Sequence, residues 1–272
     1  MNTYPFVELS LQSLKNFQDY NLAVNVLNKI NEYKKDFVPD VFGVYQPLKK
    51  KYNLSNIEEC VKLWMNDECN ENNAAENYVM GQLLMEKKKG SKVKYLIMWQ
   101  KDNQARFNCF SMSVEINYLE DHDCYNKFID LCKELVVLIE PVHGDILNQG
   151  FPGWEAPIDL KIRLPEINWM VFLGQPYIEM FGKDKILNTP CYRVEEVSQN
   201  IISLQTIKSV FNDIPDDVKN NIKSYLGEDA FVWEGKSIRA YKDGKVPKFD
   251  FSEVLFDKTK PIVDIQTLSR QR

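Results

Sequence analysis

Histidine is rare in this chain, which has two histidines among 272 residues. The six cysteines form no CxxC pair, and no run of about 18 apolar residues occurs that could cross a bilayer. The sequence also lacks the motifs of serine hydrolases, phosphate-binding loops, dinucleotide-binding turns and zinc proteases. We therefore expect a protein that is not an enzyme, with no cofactor, no metal and no membrane-spanning segment.

A basic surface is also missing, because the formal net charge is −5 and the sequence pI is near 5.3. Nucleic-acid binding depends on cationic side chains that displace phosphate counterions, so a nucleic-acid partner is not expected. A mildly acidic protein suits a basic protein partner instead. The first residues show no basic region followed by an apolar one, so we expect no secretory signal and a cytoplasmic location. In that compartment the cysteines are expected to be small buried hydrophobes and not disulfides.

The first half of the chain predicts helices around a group of strands. Apolar residues recur three to five positions apart in residues 9–33, which predicts one or two amphipathic helices. Ser55 and Glu58 have the spacing of a capping box before a further helix. A hairpin from residue 78, a third strand over 106–118 and a helix over 121–140 complete this half.

The second half predicts a long connection, an aromatic segment and a second hairpin. Gly and Pro punctuate residues 143–165, which predicts a structured connection. The segment 167–187 predicts a short strand or turn leading into a helix around residues 176–181, and a hairpin and a helix over 215–226 follow. The fold class is therefore α+β, with antiparallel hairpin-based sheets packed against amphipathic helices. We expect a single domain over 1–272, with two similar subdomains, about 1–142 and 143–272, as the alternative.

Both histidines have an ordinary structural interpretation beside a catalytic one. His122 is expected at an exposed helix start, in preference to a metal site or a Cys–His pair. His143 precedes Gly144 and Asp145, which favours a turn with a positive φ at the glycine. The alternative is a hydrolase in which His143 is a base oriented by Asp145.

Three aspartates, Asp213, Asp216 and Asp217, cluster around the predicted start of the last helix. They lack the spacing and the glycine of a calcium loop, so a helix N-terminus is the favoured interpretation.

The aromatic segment carries a family resemblance. Its residues resemble the C-terminal part of the immunity proteins that accompany bacterial polymorphic toxins and type VI secreted toxins, namely the type VI immunity family and the immunity 52 family. The matching residues are Trp169, Phe172, Gly174, Tyr177, Ile178, Gly182, Ile186 and Leu187, before Pro190. The likeness continues through the hairpin ending in IISLQT and the helix opening PDDV, and it covers about residues 154–226.

The resemblance implies a non-enzymatic immunity protein that binds and neutralises a cognate toxin in the bacterial cytoplasm. The aromatic segment itself is expected in the core, and the loops 67–77 and 143–154 are expected to bind the partner. The partner-binding residues that we predict are Asp145, Trp154, Asp213, Asp216 and Asp217. The alternatives are a structural protein acting through a homodimer, and the hydrolase based on His143 and Asp145.

Overall fold

Two compact units make up the chain. The computed structural model describes residues 5–33, 35–65, 80–151, 159–232, 241–242, 245–255 and 257–262. One unit comprises Ser10–Ile139 and Asp250–Arg272, and the other comprises Met1–Leu9 and Glu140–Phe249. The main change of unit therefore lies at Glu140, but each unit also takes a segment from the opposite end of the chain.

The first unit contains both helices and antiparallel strands. Its elements are β1 (Phe6–Ser13, divided between the units), α1 (Tyr20–Glu32), β2 (Val41–Gly43), β3 (Lys50–Lys51), α2 (Glu58–Trp64), β4 (Met80–Glu86), β5 (Lys94–Gln100), β6 (Asn108–Glu115) and α3 (His122–Ile139). Strands β3, β2, β4, β5 and β6 neighbour one another in that order, and each pairing is antiparallel. The predicted hairpin, third strand and long helix are confirmed.

Side-chain periodicity accounts for these elements. Alternate residues of β5, among them Tyr95, Ile97 and Trp99, are buried, as a sheet with one covered face requires. The buried residues of α1 and α3 recur at helical spacing and bring the two helices into contact. Tyr33 joins this pair of helices, because its hydroxyl donates to Glu134 at 3.0 Å.

In its described residues the second unit contains antiparallel strands and short helices, together with residues 6–9 of β1. Its remaining elements are β7 (Pro141–Asn148), β8 (Met170–Gly174), α4 (Gln175–Phe181), α5 (Lys183–Leu187), β9 (Arg193–Ser198), β10 (Ile201–Gln205) and α6 (Asp216–Leu226). The order of these strands is β7, β8, β10, β9. The predicted second hairpin and last helix are confirmed, and so is the α+β class. Within the described residues no helix combines the length and the apolar character needed to span a bilayer.

The aromatic segment is part of the core of the second unit, as predicted. Trp169, Phe172 and Tyr177 are each at most 3% exposed. Gly174 ends β8 and precedes α4 at a point where a Cβ atom would overlap the carbonyl oxygen of Pro141. The short strand and helix predicted here are therefore confirmed, and a glycine is needed at their junction.

Three expectations from the sequence were wrong. The helical prediction for residues 9–33 fails at its start, because residues 6–13 form a strand. In this strand Val7, Leu9 and Leu11 alternate with more exposed residues at a period of two. Residues 141–148 form β7 in place of a connection, and all but one of them are buried. Ser55 does not cap α2, because the helix begins after Ile57 without a side-chain cap.

The burial predicted for the cysteines is found at Cys60 and Cys132, whereas Cys109, Cys124 and Cys191 are partly exposed. Cys60, Cys109, Cys124, Cys132 and Cys191 are free thiols. Burial raises the pKa of Cys60 to about 12 and that of Cys109 to about 11, so these thiols stay protonated at neutral pH.

Candidate partner-binding surface

The three predicted aspartates are exposed beside one another in sequence at the start of α6. Asp216 and Asp217 form the first turn of the helix, after Pro215 at the cap position, and Asp213 precedes them. The side chain of Asp216 is 92% exposed, and its carboxylate lies 3.8 Å from the ammonium of Lys219. Acidic groups complement the partial positive charge of a helix N-terminus. The helix-start interpretation of these residues is confirmed.

The loop that leads into these aspartates is held by buried side chains. The indole N–H of Trp169 donates to the carbonyl of Ile207 at 3.0 Å. The amide and hydroxyl of Thr206 both donate to the carbonyl of Trp169, at 2.9 and 3.0 Å. Farther along the loop, the amide of Asn148 donates to the carbonyl of Val210 at 2.9 Å. Trp169 of the aromatic segment therefore helps to set the path of the loop as well as filling the core.

An aromatic residue stands beside the acidic ones on this loop. Phe211 is 37% exposed, next to the buried Val210, and its amide donates to the hydroxyl of Ser209 at 3.2 Å. The carboxylate of Asp213 accepts from the amide of Ile214 at 2.8 Å. We call the exposed residues Phe211, Asn212, Asp213, Asp216 and Asp217 the 211–217 surface. The aspartates of this surface are recognisable in the sequence, whereas Phe211 is marked there by no more than its aromatic side chain beside polar residues.

Asp145 lies away from solvent in β7, opposite Val171 of β8, and it is 8% exposed. The amide of Asn168 donates to its carboxylate at 2.6 Å. Burial raises the pKa of Asp145 to about 7, and the negative charge of Glu8 adds to this effect. The expected surface loop over 143–154 is therefore wrong for residues 143–148. Trp154 and the loop 67–77 lie outside the described residues.

His143 shares β7 with Asp145, two residues earlier and opposite Leu173, so the predicted turn is wrong. The imidazole is 3% exposed and meets the ring of Tyr177 edge to face, with 6.2 Å between centroids. Burial lowers the pKa of His143 to about 3, which makes the ring neutral at pH 7. His122 is at the exposed start of α3, as predicted, with its ring nitrogen 3.0 Å from the amide of Asn126.

A cavity of about 480 Å³, which the sequence does not predict, lies in the second unit. It is lined by the end of α4, by α5, by the C-terminal end of α6 and by residues after it, and neither His143 nor Asp145 is among the described lining. In the described parts of the chain, no three His, Cys, Asp or Glu side chains gather as they would around a metal ion.

Comparison with known proteins gives a relationship of fold. No protein-family model matches the sequence, and no curated protein is detectably similar to it. The solved structure of the Pseudomonas aeruginosa T6SS protein PA0821 superposes with a TM-score of 0.59 at 12% sequence identity. The match covers 94% of this chain and 83% of that one. The chain is therefore similar in fold to a bacterial T6SS protein over almost its whole length.

Proposed function

We propose that this chain is a non-enzymatic bacterial immunity protein of the type VI secretion setting, which binds and neutralises a cognate toxin in the cytoplasm. Two independent similarities support the proposal. The aromatic segment around Trp169 resembles that of immunity proteins, and the fold is similar to that of a T6SS protein. Neither similarity depends on a catalytic residue.

The 211–217 surface is the observation that carries the proposal. Interfaces obtain most of their binding energy from a few anchors, often aromatic, surrounded by polar groups that exclude water. Phe211 has the position of such an anchor, and the aspartates have the position of its rim. The hydrogen bonds from Trp169, Thr206 and Asn148 hold the loop before a partner arrives, which reduces the entropy lost on binding.

Charge indicates what kind of partner the 211–217 surface suits. Asp213 on the loop and Asp216 and Asp217 in the first turn of α6 concentrate negative charge at the start of this helix, and Lys219 partly offsets the charge of Asp216. A basic cleft, such as that of a toxin acting on a phosphate-bearing substrate, would bind these carboxylates in the place of phosphates. Association with such a partner is expected to slow as ionic strength rises.

Burial supports the non-enzymatic part of the proposal. A hydrolase that used His143 and Asp145 would need both side chains to reach a substrate, yet they are 3% and 8% exposed. The hydrogen bond of Asp145 goes to Asn168 and the ring contact of His143 goes to Tyr177, which suits residues that pack between strand and helix.

Co-expression tests the proposal most simply. Each gene adjacent to that of the protein is expressed alone and together with this chain, and growth is followed. We expect one neighbour to be toxic alone, harmless together with this chain, and captured with it in a stoichiometric complex. A stable homo-oligomer that captures and rescues no neighbour would refute the proposal and favour the structural alternative.

Variants of the 211–217 surface can be tested in the same co-expression assay. Phe211→Ala is expected to weaken rescue strongly, because truncating an anchor costs about 2–4 kcal/mol of binding energy. Asp184→Asn, an exposed acidic change in α5, is the matched control for Asp216→Asn. Equal rescue by Asp216→Asn and Asp184→Asn would show that charge at the 211–217 surface has no special role.

A further inference from the structure

The cavity of the second unit has the size and walls of a small-molecule site. Its volume of about 480 Å³ is within the range of about 300–1,000 Å³ typical of such sites. Met180 and Phe181 of α4 and Leu226 of α6 give it an apolar wall, and the charged residues Lys242 and Lys245 also line it. It lies at the C-terminal end of α6, whereas the 211–217 surface lies at the other end of that helix.

The aromatic wall is held in place by stacking and hydrogen bonds. The ring of Phe181 stacks on that of Phe231, with centroids 6.3 Å apart and an angle of 9° between the planes. The ring of Phe181 also stacks on that of Tyr177, with centroids 6.4 Å apart and an angle of 22° between the planes. The hydroxyl of Tyr241, which also lines the cavity, donates to the carbonyl of Leu160 at 3.1 Å. A wall fastened in this way needs little reorganisation to receive a flat apolar group.

The charged side chains that line the cavity differ in how they contact the rest of the protein. Lys185 donates to the carbonyl of Leu226 at 2.8 Å, at the negative end of the α6 dipole. The carboxylate of Glu228 accepts from the hydroxyl of Ser224 at 2.9 Å, and the carboxylate of Asp229 is paired with Lys242. Both carboxylates of the described lining are therefore already engaged.

Among the described lining residues, Lys245 is the cation that remains for a ligand. It is exposed, and among the described residues no carboxylate is within ion-pair distance of its ammonium. The described lining contains three lysines against one glutamate and one aspartate, an excess of one positive charge in a protein whose net charge is −5. A negatively charged ligand would be attracted to this place although the molecule as a whole repels anions.

We infer that the cavity binds a small aromatic carboxylate, with its ring against Phe181, Met180 and Leu226 and its carboxylate on Lys245. A charge-assisted hydrogen bond to the ammonium orients the ligand, and burial of the ring against the apolar wall supplies affinity. This site is separate from the proposed partner-binding surface and does not depend on it.

NMR titration of the full chain tests the inference with three probes. 3-Phenylpropionate carries both ring and carboxylate, 3-phenylpropanamide lacks the charge, and acetate lacks the ring. We expect saturable shifts of the Gly227 and Ala230 amides with 3-phenylpropionate and much weaker binding of the other two. Equal binding of the neutral amide, or no saturable shift at tens of millimolar 3-phenylpropionate, would overturn the inference.

Variants locate the site. Lys245→Gln is expected to weaken 3-phenylpropionate binding roughly tenfold, because it removes a charge-assisted hydrogen bond. Lys208→Gln removes an exposed lysine that does not line the cavity, and it should leave binding unchanged. Equal effects of the two substitutions would show general charge attraction and not this site. Phe181→Leu should weaken 3-phenylpropionate and leave the response to acetate unchanged.

Discussion

Replacing Asp145 by Asn should stabilise the protein at alkaline pH and have little effect in acid. The pKa of Asp145 is 3.8 in an unfolded chain, and burial raises it to about 7 in the folded one. The folded state therefore holds the proton more tightly. The stability that this proton contributes is present below pH 3.8 and is lost as the pH rises through about 7.

The magnitude follows from the interval between the two pKa values. Each pH unit is worth about 1.4 kcal/mol, so the interval from 3.8 to about 7 amounts to at most about 4 kcal/mol. Asn keeps a carbonyl oxygen that can accept the hydrogen bond from Asn168, and it cannot acquire a charge. The variant should therefore unfold at higher urea concentration than the wild type at about pH 8 and at a similar concentration near pH 4.

Urea unfolding of both proteins across that pH range is the assay, with Asp184→Asn as the exposed control. A stability difference between Asp145→Asn and wild type that does not grow with pH would refute the reasoning. The shifted pKa of His143 makes stability depend on pH in the opposite direction. Burial lowers its pKa from 6.5 to about 3, so the stability from its neutral ring is lost as pH falls through that interval. Comparing Asp145→Asn with wild type cancels this contribution.

Three further substitutions test the packing of the second unit. Gly174→Ala should destabilise the protein by about 3 kcal/mol or more in urea unfolding, because the new Cβ meets the backbone of β7. Lys223→Met should cost about 3–5 kcal/mol, since it leaves Glu166 without the ammonium that lies 2.6 Å away; adding Glu166→Gln should recover part of that loss, and no recovery would argue against the pair. Trp169→Phe removes the hydrogen bond to Ile207 and should speed hydrogen exchange of the loop amides, whereas unchanged exchange would show that the indole does not hold the loop.

Local periodicity was enough to predict most of the fold. The hairpin of β4 and β5, the helix α3 and the hairpin of β9 and β10 each carry their own pattern of apolar residues and turns. Strand β7 could not be found in this way. It is buried on both faces, so apolar and polar residues do not alternate, and Pro141 and Gly144 suggest a turn. Residues 141–148 form a strand because they pair with β8, and a local sequence pattern does not show this tertiary contact.

The candidate sites also differ in whether local sequence or tertiary structure determines them. The three aspartates at α6 were found from the sequence, because helix-start chemistry is local. The hydrogen bond from Trp169 to the loop joins positions 38 residues apart, and a local sequence pattern does not show such a contact. The cavity draws its described lining from α4, α5, the end of α6 and the residues after it, and from Tyr241, Lys242 and Lys245, so no single stretch of sequence carries its signature.

Calorimetric titration of the cognate toxin into the purified chain is the most direct test of the central proposal. The wild type is compared with Phe211→Ala and with a variant in which Asp213, Asp216 and Asp217 are all changed to Asn, at low and at physiological salt. We expect Phe211→Ala to weaken binding at both salt concentrations, and the aspartate variant to lose most of the salt dependence. Unchanged affinity and unchanged salt dependence in both variants would contradict binding through the 211–217 surface.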